Sequence, residues 1–227
     1  MKPLRIIVCG ALGRMGRRVM DLAKKDPRFH IVADVDRRDE AELPKHLKHA
    51  DAIIDFSAPQ ASVLFAEAAA RAKKPIVIGT TGFDAAQQAK IKDCAKRAAI
   101  FLSPNFSPGM NLLFYLAERA AAALPDYNAG IYEIHHTKKV DAPSGSALRL
   151  GEAVRQGNGR AVPIVSQRLG DVVGDHTLVL AGAQERLELT HRAESRDVFA
   201  RGALEAALWV SKKPAGLYDM RKMLQLK

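Results

Sequence analysis

The sequence predicts an α/β fold, a doubly wound and mainly parallel sheet, followed by an α+β region with an open mixed sheet. In the first hundred or so residues, short apolar runs alternate with helical segments, which is the pattern of parallel strands covered by helices on both faces. In the second half, strand-like runs follow one another with few helices between them, which indicates a separate α+β domain. The 227 residues are enough for one large or two small domains.

The predicted strands and helices of the first half alternate, except between the second and third strands, where no helix is predicted. Each apolar run is four or five residues long and is bounded by glycine, proline or polar residues, as expected of buried strands. The predicted strands are 4–8, 31–35, 52–56, 75–79 and 99–102, and the predicted helices are 17–25, 60–73 and 84–97.

The second half changes character after the Asn105–Gly109 stretch. A helix ending at Ala123 precedes a strand over Ile131–His136, and a further helix begins near Ser144. Three strands come next, and the chain then returns to a helical pattern. The later predictions are strands at 164–169, 176–181 and 186–191, and helices at 196–210 and 217–226.

The first predicted strand runs directly into the glycine turn Gly10-Ala11-Leu12-Gly13-Arg14-Met15-Gly16. A strand, a glycine turn, a helix and a second strand ending in an acidic residue form the dinucleotide-binding unit. Here the acidic residue is Asp36, about twenty positions after the turn, as that unit requires. The spacing is GxxGxxG rather than GxGxxG, because Leu12 stands at the usual second glycine.

The residues Asp36, Arg37 and Arg38 bear on the choice of cofactor. Asp36 can accept hydrogen bonds from an adenosine ribose, while Arg37 or Arg38 can pair with a 2′-phosphate. Because both groups are present, we expect tolerance of NADH and NADPH. The competing interpretation is a surface face of ion pairs without a ligand.

Three loops follow strands of the predicted parallel sheet, at the edge where ligands bind in such folds. They contain Asp55-Phe56-Ser57, Gly79-Thr80-Thr81-Gly82 and Ser103-Pro104-Asn105-Phe106. Glycine and short polar side chains suit contacts with ribose and nicotinamide. Ordinary strand-to-helix turns are the alternative.

The run from Glu133 to Ser146 places two histidines, two lysines and a glycine turn in fourteen consecutive positions. On a strand, His135 and His136 project to opposite faces, so one can face a ligand while the other packs. Lys138 and Lys139 add mobile charges, and backbone N–H groups at a helix start attract anions. The cluster predicts a site for a small dicarboxylate that also delivers a proton. Structural histidines, solvated lysines and a simple helix cap are the alternatives.

Composition excludes some classes of protein and leaves others open. The net charge of +10 permits nucleic-acid binding, but the basic residues are dispersed and no aromatic residues alternate with them, so no nucleic acid is expected. Two interpretations of the positive charge remain open: the basic surface has no partner, or it attracts an anionic cofactor and substrate. Cys9 and Cys94 have no disulfide or zinc-ligand spacing, and no metal is expected. Without a membrane-length apolar run or a signal peptide, we expect a cytoplasmic protein and no membrane partner.

Several of these segments together resemble the dihydrodipicolinate reductase family. The similarity rests on the glycine turn, on Val77–Phe83, on Asn105–Ser107, on the run from Glu133 to Ala147 and on the Gly216–Met220 ending, all in the same order. It implies a Rossmann-type fold and NAD(P)H-dependent reduction of 4-hydroxy-tetrahydrodipicolinate in the diaminopimelate route to lysine. It also implies a nucleotide domain over 1–106 plus 196–227, and a substrate domain over 107–195 that builds a homotetramer.

The resemblance also implies roles for individual residues. His135 is expected to give or take a proton, and Lys139 to be the second proton donor. The substrate is expected to be held by His136, Gly145 and Ser146. The cofactor contacts implied are Gly10, Ala11, Leu12, Gly13, Arg14, Met15, Asp36, Arg37, Gly79, Thr80, Thr81, Ser103, Pro104, Asn105 and Phe106.

Two rival functions remain at this point. Another Rossmann-type amino-acid dehydrogenase would share the first domain but lack the histidine and lysine run. A non-enzymatic NAD(P)-sensing nucleic-acid binder would use the +10 charge and the dinucleotide fold without turnover. A salt-dependent affinity for duplex, without oxidation of NAD(P)H, would select the second rival.

Overall fold

The structure, a computed structural model, describes residues 2–38 and 40–227. The strands are β1 (Leu4–Cys9), β2 (Phe29–Val35), β3 (Ala52–Asp55), β4 (Ile76–Ile78), β5 (Ala99–Leu102), β6 (Asn128–His135), β7 (Ile164–Arg168), β8 (Gly174–Ala181), β9 (Arg186–Ala193) and β10 (Gly216–Tyr218). The α-helices are α1 (Arg14–Lys24), α2 (Leu43–His46), α3 (Pro59–Ala72), α4 (Ala85–Cys94), α5 (Pro108–Ala123), α6 (Gly145–Asn158), α7 (Asp197–Val210) and α8 (Met220–Met223).

The chain divides into two units. One unit comprises Met1–Phe106 and Asp197–Gln225, and the other comprises Ser107–Arg196 and Leu226–Lys227. They are called the first and the second unit below.

The first unit is built on a parallel sheet with the strand order β10-β5-β4-β3-β1-β2. Ile6, Ile7 and Val8 are all fully buried although neighbouring side chains point to opposite faces. Both faces are therefore covered, as in all parallel sheets of this kind. Helices α3 and α4 pack on one face and α1 and α7 on the other. The predicted doubly wound α/β sheet is confirmed.

The strand order places a crevice at the carboxyl ends of β1 and β3. From β1 the chain passes to β2 on one side, and β3 then pairs on the other side of β1. Ligands of doubly wound sheets bind where the strand order reverses in this way. The glycine turn after β1 and the Phe56–Ser57 loop after β3 both lie at this edge.

The prediction of one helix over 217–226 is wrong. Gly216–Tyr218 instead adds an edge strand, β10, parallel to β5, and only Met220–Met223 is helical. Asp219 separates the two, because its carboxylate accepts the Lys222 N–H at 2.8 Å and caps the helix. The sequence pattern missed a strand of three residues, which is too short to show alternation.

The second unit holds an open mixed sheet, as predicted, and its strand order is β7-β6-β8-β9. β6 and β7 are parallel, and the other neighbours are antiparallel. Helices α5 and α6 cover one face through a core that includes Leu113, Leu150, Ile131 and Leu178. Helices α5 and α6 approach closely at Gly157, where a Cβ would lie 2.3 Å from the Glu118 carbonyl oxygen. The close approach therefore requires glycine at this position.

The opposite face of this sheet carries exposed apolar side chains. Tyr132 and Val165 are partners on β6 and β7 and are 41% and 58% exposed. Among the described residues, no helix combines the length and apolar character needed to cross a bilayer.

Candidate functional site

The glycine turn of the first unit packs so closely against neighbouring backbone that two of its positions leave no room for a side chain. Gly10 has a φ of +71°, and a Cβ there would lie 2.4 Å from the Phe56 carbonyl oxygen. A Cβ at Gly16 would lie 2.1 Å from the Gly10 carbonyl oxygen, so α1 can pack against the turn only with glycine at that position. Gly13 caps α1 without a side-chain hydrogen bond to the helix N–H groups. The uncapped start of α1 fits a bound pyrophosphate, which needs unshielded helix amides, and the two glycines let the turn hold this helix start in place.

Asp36 is anchored to this turn. Its Oδ2 accepts the Leu12 N–H at 2.8 Å, and its Oδ1 accepts the Arg37 N–H at 2.7 Å. A cleft in the first unit is lined by Gly10, Gly13, Asp36, Arg37, Phe56 and Ser57, among other residues. The structure therefore brings together the acidic residue, the arginine and the glycine turn that the sequence assigned to a dinucleotide.

The three strand-end loops meet around Phe56. A Cβ at Gly79 would lie 2.1 Å from the Phe56 ring, so Gly79 is needed for this packing. The Phe106 ring packs edge-on against Phe56 with centroids 5.7 Å apart, and it is 1% exposed. Phe106 therefore offers its backbone, not its ring, to any ligand. Ser103 is also buried, and its hydroxyl donates to the Asn105 carbonyl at 2.7 Å.

A buried carboxylate lies at the same edge. Asp55 is fully buried and accepts hydrogen bonds from the Ser57 N–H at 3.0 Å and from the Ser62 hydroxyl. Burial raises the pKa of Asp55 to about 6, against the lowering effect of these hydrogen bonds. The Thr80 hydroxyl lies 2.8 Å from that of Ser62, so it is engaged inside the protein, while Thr81 next to it is exposed.

In the second unit, the fully buried carboxylate of Glu133 joins three groups. His135 Nδ1 is hydrogen-bonded to one oxygen. The Ser144 N–H and Arg168 Nη1 donate to the other, at 3.3 and 3.1 Å. Burial opposes ionisation of Glu133, but hydrogen bonds and the neighbouring positive groups outweigh it and lower the pKa of the carboxyl. Glu133 is thus an anion held between cationic and donor groups.

The other nitrogen of His135 faces a position without a side chain. A Cβ at Gly174 would lie 2.9 Å from His135 Nε2, so a side chain at that position would crowd this nitrogen. Burial lowers the pKa of His135, which Glu133 only partly offsets. The His176 ring packs edge-on against His135, with centroids 5.0 Å apart. Burial and the nearby His135 lower the pKa of His176 to about 3, so this neighbour stays neutral.

Lys139 lies in the loop that follows β6. Its Nζ pairs with both oxygens of Asp141 at 2.8 Å, and this pairing lowers the pKa of Asp141. Arg168 fixes the same loop, since its guanidinium donates to the Lys139 carbonyl at 3.2 Å and to the Asp141 carbonyl. The positive charge of Lys139 also contributes to the lowered pKa of His135, so the ammonium lies close enough to the imidazole to affect its protonation.

The start of α6 completes this arrangement. The Ser144 hydroxyl caps the helix by accepting the Ala147 N–H at 3.1 Å, and it lies 3.2 Å from His176 Nε2. Gly145 and Ser146 follow in the first turn, and a Cβ at Gly145 would meet no atom within 4 Å. This open helix start is suited to an anionic group.

A metal ion was not expected, but one group of residues has suitable ligand atoms. Glu133, His135 and His176 are buried and place one ligand atom each within 4.8 Å of the others. The Glu133 carboxylate and His135 Nδ1 are already hydrogen-bonded to each other.

The structure therefore gathers His135, Lys139 and Gly145 into one region of the second unit, and the cofactor candidates around the crevice of the first. Sequence reasoning gave no role to Glu133, Arg168 or His176. Two signals were present: Glu133 lies two residues before His135 on the same strand face, and Glu133 and His176 are partners on β6 and β8. Finding the second signal requires knowing the strand register.

Comparison with known proteins decides the family. A family model described as dihydrodipicolinate reductase, N-terminus, matches residues 4–106, and the corresponding C-terminus model matches residues 109–224. The chain belongs to the dihydrodipicolinate reductase family.

Relatives in this family are similar over their whole length. The 4-hydroxy-tetrahydrodipicolinate reductase of Aquifex aeolicus is 43% identical, with 98% of this chain and 99% of the relative covered. That of Xanthomonas euvesicatoria is 42% identical, with 97% and 98% covered. The family resemblance predicted from the sequence motifs is confirmed.

Solved structures agree with the fold. A dipicolinate-bound dihydrodipicolinate reductase from Paenisporosarcina has a TM-score of 0.83 at 20% identity, covering 98% of this chain and 99% of the other. An engineered D-amino acid dehydrogenase bound to NADP⁺ has a TM-score of 0.61 at 14% identity, covering 99% and 96%. The rival dehydrogenases thus share the fold, while the sequence matches place this chain among the dihydrodipicolinate reductases.

Proposed function

We propose that this protein reduces 4-hydroxy-tetrahydrodipicolinate with NAD(P)H, using His135 and Lys139 for proton transfer. Full-length similarity of about 40% to relatives named for this activity carries the assignment of the reaction. The assignment of residues is supported by one observation: a buried carboxylate holds the His135 ring, and the loop carrying Lys139 adjoins it.

The nucleotide is assigned to the first unit and the substrate to the second. When bound, the reduced nicotinamide supplies a hydride. Gly10 to Met15 would hold the pyrophosphate, Asp36 and Arg37 the adenosine ribose with or without a 2′-phosphate, and residues 79–81 and 103–106 the nicotinamide side. Use of both NADH and NADPH is part of the proposal, because a carboxylate and a guanidinium stand side by side.

His135 is suited to carry a proton at Nε2. With Nδ1–H directed at Glu133, Nε2 is the nitrogen left to exchange a proton, and no side chain at Gly174 crowds it. The lowered pKa of His135 makes the ring neutral near pH 7 in the ligand-free protein. A dianionic substrate raises the proton affinity of the ring, so we propose that His135 becomes protonated when substrate binds.

Lys139 and the start of α6 are assigned to the negative charges of the substrate. Reduction adds a hydride to an electrophilic carbon and leaves negative charge that a proton must neutralise at a neighbouring atom. The ammonium of Lys139, now paired with Asp141, can instead pair with a substrate carboxylate. It can also donate the proton that neutralises the negative charge. The backbone of Gly145, the hydroxyl of Ser146 and the imidazole of His136 would hold the other carboxylate.

We also propose a homotetramer and a cytoplasmic location. The exposed apolar face of the second unit, with Tyr132 and Val165, supports assembly through this sheet. Light scattering on a size-exclusion column measures the mass directly, and a monomer at micromolar concentration would contradict the tetramer.

The decisive assay follows NAD(P)H oxidation with the freshly formed condensation product of aspartate-semialdehyde and pyruvate. We expect oxidation that requires all components and that falls about 10²-fold in the His135→Ala variant. The rival dehydrogenase function predicts NAD(P)⁺ reduction with an amino acid substrate instead. Activity with amino acids and none with the condensation product would reject the proposal.

A further inference from the structure

Glu133 links three parts of the proposed site through one carboxylate. Its partners are a ring nitrogen of the proton carrier His135, the Ser144 N–H at the start of α6, and the guanidinium of Arg168. The carboxylate is fully buried, so no water from bulk solvent replaces a lost partner. All three groups are therefore held by hydrogen bonds to the two carboxylate oxygens of Glu133.

These partners connect to every element that the proposed function uses in the second unit. Ser144 caps the helix whose first turn contains Gly145 and Ser146. Arg168 donates to the backbone carbonyl of Lys139 at 3.2 Å and thus fixes the loop that carries the second proton donor. A change at Glu133 acts on the ring, the helix start and the loop together.

A negative charge at Glu133 also selects the tautomer of His135. An ionised carboxylate only accepts hydrogen bonds, so the proton of a neutral His135 must be on Nδ1 and the lone pair on Nε2. The other groups that face this ring are the neutral His176 on β8, Lys139 in the following loop and Arg168 on β7. The two cations oppose protonation of His135, and Glu133 is the group that favours it.

We propose that Glu133 is a positioning residue of the reductase, which keeps His135 in its Nδ1–H form and aligns it with the start of α6 and the Lys139 loop. This inference rests on the proposed role of His135. Glu133 itself is hydrogen-bonded to the ring edge at Nδ1 and acts through its partners.

The test compares Glu133→Gln with Glu152→Gln, a matched control. Glu152 lies on α6 in the same unit, and its ion pair with Arg155 is at the surface. In Glu133→Gln we expect kcat to fall about 10²-fold with the Kd of NADPH unchanged, while the control keeps wild-type values. The inflection of kcat/KM that reports His135 should move to lower pH, because the charge that favours protonation is removed.

A second readout does not depend on turnover. In ¹⁵N-histidine NMR spectra, we expect the wild-type His135 signal to show the Nδ1–H tautomer and the Glu133→Gln signal to lose it. Wild-type kcat and pH profile in Glu133→Gln would overturn the inference, as would an Nε2–H tautomer in the wild-type protein. The wild-type spectrum provides this test even if Glu133→Gln fails to fold.

The two proposals fail in different ways. If the wild-type protein oxidises no NAD(P)H with the condensation product but shows the Nδ1–H tautomer, the proposed reaction fails and the positioning of His135 by Glu133 stands. If the wild-type enzyme is active and Glu133→Gln equals it in every readout, only the inference fails.

Discussion

His176 and His191 face each other as partners on β8 and β9, and each ring lies next to a serine that caps a helix. His176 Nε2 is 3.2 Å from the Ser144 hydroxyl of α6, and His191 Nε2 is 3.0 Å from the Ser107 hydroxyl of α5. The helix starts of the second unit are thus in contact with two imidazoles, one buried (His176) and one half-buried (His191). Protonation of either ring would place a charge where burial opposes it.

This arrangement predicts a loss of stability in acid. The pKa of His176 falls from about 6.5 in the unfolded chain to about 3, so its contribution is fully present above pH 6.5 and is lost as the pH falls toward 3. The pKa of His191 is lowered as well, mainly by burial. In His176→Gln, urea unfolding of the second unit should depend less on pH between 6.5 and 3. A His49→Gln control, exposed in the first unit, should keep the wild-type slope, and an equal slope in both variants would contradict the prediction.

Asp55 is expected to give the stability of the first unit a pH dependence of the opposite sign, with greater stability in acid. Its pKa rises from 3.8 to about 6, so its contribution to folding is present below pH 3.8 and is lost as the pH increases through 6. Asp55→Asn should remove this dependence, because an amide stays neutral at every pH. Unfolding of the first unit, followed through Trp209 fluorescence from pH 4 to 7, measures the effect. A wild-type pH dependence in Asp55→Asn would show that another group is responsible.

The proposed roles of His135 and Lys139 in proton transfer predict separate effects on turnover and on cofactor binding. We expect His135→Ala and Lys139→Ala each to lower kcat by about 10²-fold or more, since each removes a group proposed to act as a general acid or base. The Kd of NADPH, measured by fluorescence, should remain within about twofold because the nucleotide is assigned to the other unit. Lys138→Ala, an exposed neighbour in the same loop, should reduce kcat far less. Equal loss of cofactor affinity in both alanine variants would contradict the assignment.

Arg37 is predicted to discriminate between the two cofactors. In Arg37→Ala, we expect the Kd of NADPH to rise about tenfold and that of NADH to change little, because only NADPH has a 2′-phosphate to pair with the guanidinium. Lys48→Ala removes a positive charge from an exposed position of the same unit and serves as the control. A parallel change for both cofactors would indicate a general electrostatic effect.

Gly10 and Gly82 separate backbone strain from steric overlap. Both have positive φ, but a Cβ at Gly10 would lie 2.4 Å from a backbone oxygen, whereas one at Gly82 would meet nothing within 4 Å. Gly82→Ala should cost about 1 kcal/mol of unfolding free energy from backbone strain alone. Gly10→Ala should cost clearly more and should also weaken NADPH binding. If urea titrations gave the same loss of unfolding free energy for Gly10→Ala and Gly82→Ala, the turn would be able to relax and accommodate the Cβ at position 10.

The sequence predicted what depends on neighbouring residues. The alternation of strands and helices, the glycine turn and the His135–Lys139 run are local patterns, and the structure contains each of them. It did not predict the Glu133–His176 pairing or the contact of Arg168 with the Lys139 loop, because these depend on strand register across the sheet. The edge strand Gly216–Tyr218 was missed for the same reason, since a partner strand rather than local pattern defines it.

The hydrogen bonds of Asp36 bear on any attempt to redesign cofactor preference. Its carboxylate is tied to the Leu12 and Arg37 amides, so replacing it would loosen the turn assigned to the pyrophosphate as well as the contact assigned to the ribose. Engineers who wish to convert the protein to a single cofactor would do better to vary the exposed side chains of Arg37 and Arg38. Asp36 stabilises the conformation of the turn, so replacing it is expected to weaken the binding of NADH and of NADPH to a similar extent.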